Sequence, residues 1–388
     1  MTMVTVVVPV YNVERYLGEC LDSLVGQTLT DIQIVCVDDG STDGSGALLA
    51  QYASRDGRIL VVTQQNRGLG GARNTGLRHA SGRYIMFLDS DDYLEAGALE
   101  ELVGLCEAHD ADIAVCRLRY FYMDSGESVV GTWTLRTDMV PCGVPFNRRD
   151  VDGLLYDFVT PSVCNKLIRR EFLERHDLRF HEELRRAEDV PFTFVSLACA
   201  ERIVATDSAL LNYRKSVADS LQSTTHEVPL GICHALVHAH DDLERAGVLA
   251  EVEPDFMNAA LYQCIFTLES HKTLEAFCEL YTALADTYFD EIGISGHESD
   301  YFVNDSDREK RERIMSCGWF EYLFDEAQLL NRALADSRRN KARMEREHRR
   351  VTTKIERIRS SRGFRFGRAL TGLSRRTRSA LGHGKGGE

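Results

Sequence analysis

Continuous apolar runs alternate with helically spaced apolar positions through residues 1–90. Val4–Val8 is a β-branched run that Pro9 should end, and Val13, Leu17, Cys20, Leu21 and Leu24 follow at the spacing of one helix face. Ile32–Val37 and Ile59–Thr63 read as further strands. Leu69–Ala80 reads as a glycine-rich helix start and Tyr84–Leu88 as a fourth strand. Strands without polar alternation, separated by helices, predict right-handed crossovers and a mostly parallel sheet flanked by helices, an α/β fold. All four strands then deliver polar residues to one edge: Tyr11-Asn12, Asp38-Asp39, Asn66 and Asp89–Asp91.

The pattern changes downstream. Asp112–Arg117 fits a strand, 141–161 is loop-rich, and 225–330 is mostly helical with few glycines. From Leu330 a 4-3 spacing runs through 334, 337, 341, 344, 348, 351, 355 and 358, but with Ser, Lys and His among its members. Such a seam predicts a solvated helix with weak self-association, not a strong coiled coil. The division expected is 1–222 for the α/β domain, 223–330 for a helical accessory region and 331–388 for a basic tail.

A chain of 388 residues buries a core without staples, and its 11 cysteines show no C-x-x-C pair. That argues for a reducing compartment and against a cysteine zinc site or disulfide framework. No signal-like start and no apolar stretch near the ~20 residues of a membrane span are expected, so the cytoplasm is the expected location. The net charge of -14 is divided: residues 331–388 hold 18 Lys/Arg against 5 Asp/Glu, leaving 28 against 55 in residues 1–330. An acidic body disfavours nucleic acid as a partner. In the tail, Phe366, Leu370, Leu373, Thr377 and Leu381 form one stripe if helical, with arginines elsewhere. That pattern fits an anionic membrane surface and the inner face of the plasma membrane.

The polar strand ends carry the chemistry. Asp89 and Asp91, two apart in extended chain, point to one side at the carboxyl end of a buried strand, where open α/β sheets bind ligands. Two carboxylates plus substrate phosphates are a common holder for a divalent metal, Mg²⁺ or Mn²⁺. Alone, D-x-D is also an ordinary helix cap. Asp38-Asp39-Gly40-Ser41-Thr42-Asp43 reads as a turn with Ser41 or Thr42 capping the next helix, yet two adjacent carboxylates at a buried strand end need a donor or cation. A carboxylate there can accept the N3–H of uracil. Asn66-Arg67-Gly68-Leu69-Gly70-Gly71-Ala72-Arg73-Asn74 brings glycines and a helix N-terminus suited to phosphate, with Arg73 either on a diphosphate or paired with an Asp of the site.

These segments, together with Val8-Pro9-Val10-Tyr11-Asn12 and Phe87-Leu88-Asp89-Ser90-Asp91-Asp92, resemble the successive motifs of the family-2 glycosyltransferases over about residues 3–215. The resemblance implies a GT-A fold and an inverting enzyme that uses a nucleotide-sugar. It places Pro9, Val10, Tyr11 and Asn12 around base and ribose, and Asp39 on uracil with Asp38 beside it. Asp89, with Ser90, would contact ribose or order the metal shell, and Asp91 would bind the metal. The family's base lies in an E-D pair about a hundred residues on. Here Glu188-Asp189 fits with Asp189 as base, although Ala187 stands where many relatives have Gly. Lys166, in Asn165-Lys166-Leu167-Ile168-Arg169, is similar to an acceptor-side run, and Arg214 to a loop closing over diphosphate.

A UDP-sugar donor and a glycan or lipid-linked acceptor used in bacterial surface polysaccharide follow as the expectation. The rivals are a non-catalytic sugar-nucleotide scaffold, which predicts a broken D-x-D or base, and a nucleotidyltransferase. The latter expects a Gly-rich, Lys-containing signature after the first strand, where Pro9-Val10-Tyr11-Asn12 stands. His234 and His238, four apart on a helix, suggest zinc but lack the H-E-x-x-H glutamate.

Overall fold

The computed structural model describes residues 2–151, 155–215 and 227–360. The sheet starts as the pattern predicts: β1 (Val4–Val10), α1 (Glu14–Val25), β2 (Ile32–Asp38), α2 (Ser45–Ala53), β3 (Ile59–Thr63), α3 (Gly68–His79) and β4 (Tyr84–Phe87). Then come β5 (Tyr93–Leu94), α4 (Ala98–His109), β6 (Ile113–Tyr122), β7 (Ser128–Gly131), β8 (Lys166–Arg169), α5 (Arg170–Arg175), α6 (Asp189–Cys199) and β9 (Ile203–Lys215). Strand order is β3-β2-β1-β4-β8-β6-β9-β5, with β7 on β6. Pairing is parallel from β3 through β4 and between β6 and β9. It is antiparallel where β8 joins β4 and β6. β1 and β4 are fully buried, which is why they carry no polar alternation.

Pro9 does not end β1, contrary to expectation. Val10 turns its carbonyl to β2, where Asp39 N–H donates to it, so Pro9 faces the other side. There the pairing with β4 has stopped at Val7. The missing N–H therefore breaks no ladder bond.

The helices α7 (Gly231–Arg245), α8 (Leu249–Ser270), α9 (Leu274–Ala283), α10 (Phe289–Ile292) and α11 (Asp305–Ser316) follow, then α12 (Trp319–Ser360). The expected break at 222/223 does not separate compact units. The chain divides into Met1–Ser316 and Cys317–Glu388. Residues up to 316 belong to the first because α7 and α8 pack onto the α/β part: Leu236, Leu243, Phe256 and Leu268 are buried, and Phe256 meets Phe194 of α6 edge-on. In the second unit α12 covers the 4-3 segment, with Leu330, Leu334 and Met344 exposed. The stripe expected from Phe366 onward lies outside the described residues. Among these no helix is long and apolar enough to cross a membrane, and no disulfide forms.

Candidate active site

The parallel register Val10↔Asp38, Asp38↔Thr63 and Val7↔Phe87 brings four strand ends to one edge. A cleft of about 1170 Å³ opens there. Pro9, Val10, Tyr11, Asn12, Asp39, Asn66, Asp89, Ser90 and Asp91 all line it, so most of the residues singled out in the sequence meet in one place. Tyr11 leaves half of its surface exposed, presenting its ring to the cleft.

The loops after β1 and β2 hold each other. Asn12 adopts φ +50 and accepts from Thr42 N at 2.8 Å, while its own N–H donates to Ser41 Oγ at 3.1 Å. Asp43 accepts from Glu14 N and Ser45 N, each at 3.0 Å. Ser41 and Thr42 therefore brace the neighbouring loop, and α2 starts later than expected, with Asp43 as its donor-satisfying side chain. Asp38 is absorbed the same way, accepting from Ser41 N at 2.9 Å, and does not line the cleft.

Asp39 is buried beside Asp38 but reaches the cleft. Its Oδ1 accepts from Gln64 Nε2 at 2.7 Å and from Arg67 N at 2.9 Å. Asn66 Oδ1 accepts from Gly68 N at 3.2 Å, so the amide that opens α3 is taken by a side chain. Further along α3, Gly76 serves packing: a Cβ there would overlap Val7 of β1.

Arg73 resolves its two alternatives in favour of pairing. It is buried and donates to Asp89 Oδ1 at 2.8 Å and Glu188 Oε1 at 2.7 Å. Burial works against its charge, but those two carboxylates outweigh it and hold it cationic. One guanidinium thus joins α3, the end of β4 and the start of α6. Asp91 has its carboxyl pushed up to about 6, first by burial and then by the charge of Asp89. Asp92 is more deeply buried and also raised, its Oδ1 accepting from Arg214 N at 2.8 Å. Such crowded carboxylates on the cleft wall are the donor set that a hard divalent cation relieves, so Asp91 and Asp89 fit the metal expected from the sequence.

Arg214 lies elsewhere than expected. Its side chain is buried beneath the loop after β4, donating to the Asp91 carbonyl and pairing with Glu19, with the Tyr93 ring 4.8 Å from its guanidinium carbon. β9 ends under the D-x-D, so this cation steadies the loop and does not face the cleft.

Asp189 opens α6 and Glu188 precedes it. Burial, then the charge of Glu188, pushes the Asp189 carboxyl up to about 7, against the pull of Arg73 and Lys166. Ala187 adopts φ +56, the left-handed conformation that explains why glycine suits this position. Lys166 is fully buried, and its Nζ donates to Thr160 O, Ser162 O and Asn165 Oδ1 at 2.6–2.9 Å. All three donors are spent, so it backs Asp189 and cannot meet an acceptor at the surface. Burial lowers its ammonium to about 7 despite Asp189 nearby.

Sequence reasoning missed the opposite wall, formed by Glu182–Arg185 with Arg15 and Arg67. Glu182 accepts from Asn74 Nδ2 at 3.1 Å and pairs with Arg67. The run of charges just before the E-D pair was the available signal.

Fold and site together define an α/β protein whose carboxylate-lined cleft lies at the ends of parallel strands. The chain belongs to glycosyl transferase family 2. The family profile matches residues 5–177. Glycosyltransferase GlyG of Streptococcus pneumoniae is 31% identical over 225 residues, which is 55% of this chain and 71% of that one. The uncharacterized glycosyltransferase EpsJ of Bacillus subtilis is 39% identical over 222 residues, 55% of this chain and 61% of EpsJ. A poly(ribitol-phosphate) beta-glucosyltransferase of Bacillus spizizenii is 33% identical over 204 residues, 52% of this chain and 30% of that one. The chain thus spans about three-fifths of EpsJ and less of some other relatives.

Proposed function

We propose that this chain transfers a sugar, with inversion, from a nucleotide-sugar bound in the cleft to a hydroxyl of a glycan or lipid-linked glycan. One observation carries the reading: Asp39, Asp89 and Asp91 line one cleft, and behind its lining Arg73 ties Asp89 to Glu188, the neighbour of the raised Asp189. Tyr11 offers a stacking face and Asp39 an acceptor for the N3–H of uracil, which favours a UDP-sugar. Arg15 and Arg185 line the cleft as cations for the diphosphate.

In the reaction Asp189 takes the proton from the acceptor hydroxyl as that oxygen attacks the anomeric carbon. The bond from this carbon to the diphosphate oxygen breaks, and the nucleoside diphosphate leaves from the opposite side. A Mn²⁺ or Mg²⁺ ion held by Asp91 and Asp89, when bound, offsets the charge on the departing diphosphate. A carboxyl pushed up to about 7 is matched to this duty, since about half of it is ionised at neutral pH while it stays basic enough to accept a proton. Arg73, paired with Glu188 and Asp89, ties the start of α6, where the base stands, to the end of β4.

Relationship to a poly(ribitol-phosphate) glucosyltransferase supports an acceptor in cell-surface polymer synthesis. The basic tail supports work at the cytoplasmic membrane face. Calorimetric titration with UDP in Mn²⁺ tests the cleft: Asp91→Ala should remove the metal dependence, and Asp39→Ala should erase preference for UDP over GDP. Equal, metal-independent binding by all three proteins would refute the assignment.

A further inference from the structure

Beside the cleft, the segment between α5 and α6 carries a second group of ligand-type side chains. Glu183 Oε1 lies 3.3 Å from His181 Nδ1 and 3.3 Å from His238 Nε2. His181 and Glu183 belong to the stretch that leads to Glu188-Asp189, whereas His238 projects from α7. The three donor atoms all fall within 4.8 Å of one another. The sequence had paired His238 with His234, but His234 instead packs edge-on against Tyr288. The partner that completes the group is distant in sequence.

We propose that His181 Nδ1, Glu183 Oε1 and His238 Nε2 bind a divalent transition-metal ion of the zinc class. Zinc takes imidazole and carboxylate ligands at about 2.0–2.2 Å in a tetrahedron, which sets neighbouring ligand atoms roughly 3.3–3.5 Å apart. Both separations onto Glu183 meet that spacing. Two imidazoles select zinc-class ions, whereas magnesium and manganese prefer the all-oxygen set at Asp89 and Asp91. The outer partner is also present. His181 Nε2 lies 2.7 Å from Asp242 Oδ2, so a proton held on Nε2 leaves the Nδ1 lone pair for the metal. The two rings stack with centres 4.0 Å apart and planes 26° from parallel, so binding one ion requires His238 to rotate about χ2 out of this stack until both in-plane lone pairs converge.

Three protein ligands leave a fourth position for water. The ion ties the stretch that carries the base to α7, and its role is to clip that wall of the cleft in place. It is a separate site from the carboxylate pair after β4 and uses none of the same residues.

Full-length protein stripped with a chelator and titrated with Co²⁺ tests this by visible absorption. Tetrahedral Co²⁺ with nitrogen ligands absorbs far more strongly than Co²⁺ in an octahedral oxygen site. The expected result is one strongly absorbing Co²⁺ per chain, displaced by Zn²⁺ and retained in Asp91→Asn. The band should vanish in Glu183→Gln and in His238→Gln, each shown to be folded by its thermal melt. Asp242→Asn should weaken affinity about 10–100-fold. Absence of the band in wild type, or its persistence at full strength in folded His238→Gln, would overturn the proposal.

Discussion

Asp189 bears the most specific residue-level expectations. Asn in its place keeps the shape but cannot accept a proton, so kcat should fall about 10²–10⁴-fold with little change in donor KM. Because the base acts ionised, wild-type kcat/KM should rise with pH and level off above about 7. Stability has the opposite slope. Folded Asp189 keeps its proton up to about 7, whereas an unfolded Asp releases it near ~3.9, so the folded state binds more protons between these values. This contribution to stability is complete below the lower value and is lost as pH rises through the upper. Melting temperatures across that window should show the loss in wild type and less of it in Asp189→Asn. At Ala187, whose φ is +56, Gly should stabilise the fold by about 1 kcal/mol in denaturant titration. The carboxylates were legible in the sequence because each ends an apolar run or stands in a motif. Lys166 was misread because only antiparallel insertion of β8 puts it behind the base, with its donors spent on Thr160, Ser162 and Asn165.

At the scale of elements, the site depends on how closely α3 approaches the sheet. Gly76→Ala forces a methyl into Val7 and should cost about 1–3 kcal/mol, read from chemical denaturation. Arg73→Met should cost more, about 3–5 kcal/mol, because it strands the Asp89 and Glu188 carboxylates against one another. The parallel strands could be read from continuous apolar runs, since burial on both faces removes the polar alternation. Pro9 misled because proline was read as a terminator, when its missing N–H faces a side where pairing has already ended. The role of β9 was likewise hidden: nothing in Tyr213-Arg214-Lys215 states that the strand finishes beneath the D-x-D loop.

At the scale of the whole molecule, every cleft-lining residue falls within Met1–Ser316. The division at 222 was misplaced because helical composition marks secondary structure, not independence. α7 and α8 complete a core shared with the α/β part. Deleting residues 331–388 removes a net +13 and should leave donor binding intact while abolishing co-sedimentation with anionic vesicles, a result readable in one pair of assays. The central claim is that one cleft joins a metal-bound donor to an aspartate base. Its most direct test is turnover of a panel of UDP-, GDP- and dTDP-sugars with Mn²⁺ or Mg²⁺ by wild type, Asp91→Ala and Asp189→Asn. Metal-dependent release of one nucleotide, lost in Asp91→Ala, with acceptor-dependent transfer lost in Asp189→Asn, is the predicted outcome. Folded wild-type protein that turns over no donor, or variants as active as wild type, would contradict it.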